Sequence, residues 1–295
     1  DAIATRAFAV VAGLGGVALL VISYRRQRTT EADAERAERA SKREVAKLFT
    51  ETFDSASSKL GDEHPAVRLG GVHSLARLAD EAPEGREDLV QMVIDVLCAY
   101  LRMPYTPEPE ALPQDATDEQ TQAHRQEKLE FGSFREVRHT IIRIIGKRLR
   151  EDTRWLGKDY DFTGVVFDGG DLSGARFTGG KVDFQETEFP NGMVTFRGAQ
   201  FTGGKVDFYG AAFAGGRVTF QEAEFAGGKV TFSGAGFLYG RVDFQGATFA
   251  DGAVTFHNAT FLGGEVHFGN ASGKCPQGLP PRLWPSEQGE DSGAS

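Results

Sequence analysis

The chain has 295 residues, with 33 Lys and Arg against 42 Asp and Glu, and a formal net charge of -9. That balance argues against general affinity for nucleic acid. Its two cysteines, Cys98 and Cys275, make neither a disulfide framework nor a zinc spacing, which fits a reducing compartment.

The first predicted element is residues 7–24, AFAVVAGLGGVALLVISY, which carry no charge and as a helix of about 27 Å are just long enough to span a bilayer. Arg25, Arg26 and Arg28 follow it, against Arg6 before it. The positive-inside bias then places the rest of the chain in the cytoplasm, whereas a cleaved signal peptide carries its positive charge ahead of the apolar run. The chain begins at Asp1 rather than Met, so the sequence leaves open a further spanning helix upstream, which would not change that orientation. Residues 1–28 are therefore read as a transmembrane helix and basic flank, and the expected location is the cell membrane with the bulk of the chain cytoplasmic.

Residues 29–62 read as a juxtamembrane helix. Thr30 and Asp33 suit its start, and alanine and charge up to Glu44 describe a solvated stalk. From Val45 the stripe turns apolar, through Leu48, Phe49, Phe53, Ala56 and Leu60, so this end is expected to dock on a core. Residues 63–152 form a helical domain. Pro65 opens one helix, in which Gly70 and Gly71 permit close packing; Leu89, Val93, Val96, Leu97 and Tyr100 mark a second; and Ser133 with Glu136 reads as a capping box ahead of Phe134, Val137, Ile141, Ile144, Ile145 and Leu149. Between the last two, residues 104–118 are rich in proline and acid and read as a connecting linker.

The second half is built on repeats. Eighteen of the 23 Phe residues lie between Phe162 and Phe268, and from Phe177 their gaps alternate between seven and five. The unit F-x-G-G-x-V-x-F-x-x-A-x, as in FTGGKVDFYGAA from Phe201, recurs in eight copies to about Ala271. Repetition at this length means stacked coils. Within a unit, Val206 with Phe208 and Ala211 with Phe213 can each point inward from a short strand. The odd step between the two pairs forces a turn, and the Gly-Gly pairs 203–204, 215–216 and 227–228 are expected to widen alternate corners through positive φ. Faces of seven, five, seven and five give 24 residues per turn, so residue i should stack on i+24; a β-meander is the rival.

These residues resemble the pentapeptide-repeat family, whose motif places Leu or Phe at the centre of each five-residue unit; Phe162, Phe167, Leu172 and Phe177 keep that pure spacing. Beyond Phe177 the sequence departs from it, with two residues added in every second unit and Val182, Val194, Val206, Val218, Val230, Val242, Val254 and Val266 replacing the small residue. The resemblance implies a bacterial protein with a right-handed quadrilateral β-helix over 153–271. The expected fold is thus α+β and multidomain: a transmembrane helix, a small helical bundle, this β-helix, and a capping segment with flexible tail over 272–295. Trp155 and Leu156 are expected to cap its first coil, and Leu279, Leu283 and Trp284 to cap the last or to provide a homodimer contact.

Chemistry is thin. His64, His73, His124, His139, His257 and His267 make no paired metal motif, the Gly-Gly pairs lack the Lys-Ser/Thr and helix of a phosphate loop, and no Ser, His and Asp set stands out. The expectation is therefore no enzyme, no cofactor and no metal, but a membrane-anchored cytoplasmic scaffold for an unnamed protein partner. Its candidate surface is Lys181, Asp183, Lys205, Asp207, Arg217, Lys229, Arg241 and Asp243, where acid and base rows offset one another. The resemblance also implies an alternative, a DNA-mimicking protein that binds gyrase or another topoisomerase, which those mixed charges weaken. Self-association is the third reading.

Overall fold

A computed structural model describes residues 35–250 and 253–285, together with Tyr24 and Arg26. Apart from Tyr24, the apolar segment 7–24 lies outside the described residues, as do Arg25, Arg28, Thr30 and Asp33. Among the described residues no helix is long and apolar enough to cross a membrane.

The chain divides into two compact units, Asp1–Thr52 and Phe53–Ser295. In the first, residues 35–52 are helical and mostly exposed, with ion pairs one turn apart from Arg39 to Glu35 and from Lys42 to Glu38. Phe49 is buried, whereas Val45 and Leu48, of the apolar stripe expected from Val45 onward, are exposed.

The second unit opens with helical residues 53–60 (α1), followed by α2 (Pro65–Asp80), α3 (Glu87–Leu101) and α4 (Asp118–Arg150). Ala56 and Leu60 of α1 are buried. The close approach of α1 and α2 belongs to Gly71, where an added Cβ would lie 2.6 Å from the Leu60 nitrogen, whereas Gly70 faces open space. The expected capping box at Ser133 and Glu136 is displaced: both residues lie inside α4. The true box is Thr117 with Gln120, each side chain bonding the other's backbone N–H. Asp118 and Glu119 in the first turn suit the helix dipole, and good helix formers carry the helix through the polar stretch before the apolar stripe begins.

From Tyr160 onward the chain coils. Every strand pairing among the described residues is parallel, and Phe177, Phe201 and Phe225 stand in one register, as do Val182, Val206 and Val230. This is a β-solenoid of about five turns, not a meander. The interior holds four columns of stacked rings. In one, Phe184, Phe208 and Phe232 lie 4.5 and 4.7 Å apart; the columns headed by Phe167, Phe196 and Phe177 repeat the arrangement. Val182, Phe184 and their equivalents in the middle coils are almost wholly buried, each ring contributing about 2–3 kcal/mol of transfer free energy.

The first coil is shorter. Phe162 stacks on Phe184 and Phe167 on Phe189, steps of 22 residues, whereas Leu172 follows Phe167 by five and Phe196 follows Phe189 by seven. The two missing residues belong to the corner at Asp168–Gly170, where α4 packs: a Cβ at Gly170 would meet Ile142, and one at Gly169 would meet His139.

The Gly-Gly pairs serve a different purpose from the one expected. Of Gly203, Gly204, Gly215, Gly216, Gly227 and Gly228, only Gly204 has positive φ. At all six an added Cβ would come within 2.2–2.9 Å of a carbonyl oxygen in the preceding coil. They are glycine because neighbouring backbones touch there. Left-handed residues occur at such corners in some coils, at Gly180, Gly192, Gly204 and Gly263, and also at the other corners, one residue past Gln185, Arg197, Tyr209 and Gln221, at Glu186, Gly198, Gly210 and Glu222.

Candidate interaction surface

The sequence-predicted surface residues fall into two columns on separate faces of the solenoid. Lys181, Lys205 and Lys229 pair in register along one, and Met193, Arg217 and Arg241 along the other. Stacking puts identical cations one strand spacing apart, a repulsion that needs compensation. At three positions it comes from the residue two places on, where Lys181 binds Asp183, Lys205 binds Asp207 at 2.6 Å and Arg241 faces Asp243 at 3.6 Å; Arg217 and Lys229 have Thr219 and Thr231 there. That hydrogen bond and charge raise the Lys181 pKa above its ordinary value.

The three aspartates are themselves buried, and their first task is structural. One oxygen of each accepts the backbone N–H two residues ahead, from Gln185, Tyr209 and Gln245 at 3.0–3.1 Å, closing the turn that follows each inward Phe. Thr195, Thr219 and Thr231 do the same at equivalent corners. The second oxygen takes the lysine or arginine and, for Asp207 and Asp243, the amide of Gln185 or Gln221 from the coil before. The Lys and Arg columns therefore point outward while Asp183, Asp207 and Asp243 are occupied inside the turns; Glu186, Glu188, Glu222 and Glu265 are exposed on the same coil.

A second polar cluster, not found from the sequence, sits where α4 meets the first coil. Asp168 is buried at the shortened corner, its carboxylate oxygens hydrogen-bonded to His139 Nε2 at 2.9 Å and the Tyr105 hydroxyl at 3.2 Å; Arg135 is its ion-pair partner, Nε lying 3.1 Å away, and donates from Nη2 to the Asp168 backbone carbonyl at 3.2 Å. Burial alone would raise this carboxyl's pKa; the His139 hydrogen bond and the His139 and Arg135 charges outweigh it and hold it below the ordinary value. Burial and the neighbouring Asp168 push the Tyr105 phenol up to about 12. Arg138 donates to the Leu101 and Val166 carbonyls at 2.6 Å each and lies 5.5 Å from the Tyr105 and Phe134 ring centres. The segment 104–118 is thus tied down at Tyr105 rather than a bare connection. The available signal was Arg135, Arg138 and His139 on one face of a helix whose stripe is otherwise apolar.

At the solenoid ends, Trp155 is buried, its indole N–H donating to Asp80 of α2 at 2.9 Å and its carbonyl accepting from the Tyr160 hydroxyl at 2.8 Å; Leu156 is half-buried. Most direct cover of the first coil comes from α4, whose Ile142 and Gly146 face Gly170 and Asp171. At the far end Gln277 bridges to Thr255, Leu279 is buried and Trp284 packs edge-on to Phe249 at 5.6 Å; Leu283 lies in the short 3-10 turn before it and is half-buried.

Residues 162–212 match the family model for pentapeptide repeats (9 copies). That match and the solenoid together support a pentapeptide-repeat protein. No curated protein and no solved structure matches the chain.

Proposed function

We propose that the chain is a membrane-anchored cytoplasmic scaffold that holds a protein partner and performs no catalysis. A repeat-based interaction or scaffold module is what a pentapeptide-repeat solenoid supports. The observation that carries the reading is the division of labour in the coil: four ring columns fill its interior, and Asp183, Asp207 and Asp243 are occupied in its turns. The outward columns of Lys181, Lys205 and Lys229 and of Arg217 and Arg241 are left for recognition, a pattern suited to an acidic patch on a partner. The anchor is inferred from the uncharged run 7–24 and the Arg25, Arg26 and Arg28 that follow it.

Affinity recovery with the full chain in detergent tests the scaffold. One protein should be retained at stoichiometric level and released by the triple variant Lys181→Glu, Lys205→Glu, Lys229→Glu; recovery unaffected by that variant would reject the wall as the recognition surface. Alkaline extraction of membranes tests the anchor, since a spanning chain stays in the pellet and one lacking residues 7–24 does not. The gyrase-binding alternative has less support, because Asp183, Asp207 and Asp243 form no outward phosphate-like stripe. Dose-dependent inhibition of gyrase supercoiling by the purified chain would reverse that preference.

A further inference from the structure

Away from the solenoid wall, the helical layer carries a two-lobed groove. One lobe, of about 500 Å³, is floored by Leu60, Val96, Tyr100, Met103 and Phe134. The other, of about 810 Å³, runs between the extended segment at Pro107 and Pro109 and the α4 residues Leu129 and Phe131. The lobes share Glu63, Arg68 and Phe134. Met103 and Leu129 are 52% and 61% exposed, which is costly apolar surface to leave in water.

The rim is acidic. Glu63, Glu127 and Glu130 line the larger lobe, and among the described residues none has a cationic partner; Glu130 accepts the Gln126 amide at 2.8 Å. Arg68, the one cation lining either lobe, is engaged by the backbone carbonyls of Asp62 and Glu63, to which it donates.

We propose that this groove receives a cationic amphipathic helix of a partner protein, with its apolar stripe on Met103, Phe134 and Leu129 and its lysines or arginines against Glu63, Glu127 and Glu130. An apolar floor bounded by unpaired carboxylates is complementary to that chemistry. A second copy of this chain, with its net charge of -9, and an anionic membrane surface are both disfavoured by the same rim. The site is independent of the lysine wall, so either can fail without the other.

The test uses the full chain and two labelled helical peptides of about 18 residues, with the same leucine stripe but lysine on the polar face of one and glutamate on the other, followed by fluorescence anisotropy. The lysine peptide should bind saturably and the glutamate peptide should not. The triple variant Glu63→Gln, Glu127→Gln, Glu130→Gln should weaken binding by about tenfold or more, and Met103→Glu should weaken it further. A charge-matched variant on the solenoid, Glu186→Gln, Glu224→Gln, Glu265→Gln, should leave it unchanged. Equal binding of both peptides, no saturable binding, or equal loss in the two triple variants would overturn the proposal. So would a dimer in sedimentation that Met103→Glu converts to monomer, since the groove would then belong to a second copy.

Discussion

A Cβ placed on Gly146 of α4 would lie 2.3 Å from the carbonyl oxygen of Asp171, so helix and first coil meet backbone to backbone. The contact exists because the corner beneath it is two residues short. Gly146→Ala should therefore lower stability by about 1–3 kcal/mol as helix and coil are forced apart, despite alanine's better helix propensity. Gly132 of the same helix faces open space, and Gly132→Ala should raise stability by about 0.5–1 kcal/mol. Urea unfolding of the two variants gives opposite signs if α4 docks this way; two gains would show that it does not.

The solenoid corners offer a similar contrast. Glu186 holds φ at 55°, a conformation that costs a side-chain-bearing residue about 1–2 kcal/mol. After allowing for glycine's greater freedom in the unfolded chain, Glu186→Gly should stabilise the coil by about 0.5–1 kcal/mol. Gly203 is the reverse case, since a methyl group there would stand 2.2 Å from the Thr178 carbonyl, and Gly203→Ala should cost about 1–3 kcal/mol. Thermal melts of both variants beside the parent chain decide the matter, and a neutral Gly203→Ala would refute the backbone contact.

The periodicity was the most legible part of the sequence, because two buried rings in every twelve residues admit few folds, and Phe184 does stack on Phe208. The helices around Pro65 and Leu97 were legible from their apolar stripes. Two things were not. Asp183, Asp207 and Asp243 read as surface charge, because nothing in composition distinguishes an outward carboxylate from one that closes a turn on the next N–H but one. Asp168 could not be paired with His139 and Arg135, because their meeting depends on how a helix sits on a coil some thirty residues later. Local pattern specifies each element, whereas docking is set by contacts distant in sequence.

Asp168 gives the chain an acid-sensitive joint. Its carboxyl is held below the ordinary value in the folded protein, so the folded state takes up a proton less readily than the unfolded chain. The stabilisation is complete above the ordinary carboxylate range, about pH 4, and is lost as pH falls through the lowered folded value. Asp168→Asn should cost about 2 kcal/mol at pH 7 by weakening the hold on His139 and Arg135, and should flatten the dependence of stability on pH below about 5. Unfolding midpoints of parent and variant across that range provide the measurement; parallel pH curves would show that Asp168 is not the titrating group.

The two thiols report on different parts of the second unit. Cys98 lies on the buried face of α3, and burial pushes its thiol pKa up to about 12, leaving almost no thiolate at neutral pH. Cys275 is exposed beyond the last coil. A thiol reagent at pH 8 should therefore modify one cysteine of the native chain within minutes, and Cys275→Ser should abolish that fast phase. Cys98 should react only as α3 opens, so its labelling rate ought to rise with urea in step with loss of helical signal. Gly146→Ala should accelerate it at fixed urea, because loosening α4 from the coil removes the support on which α3 also rests through the Arg138 bond to Leu101. Fast labelling of Cys98 in the native parent chain would mean that α3 is not buried as described, and that the helical layer is not fixed to the solenoid.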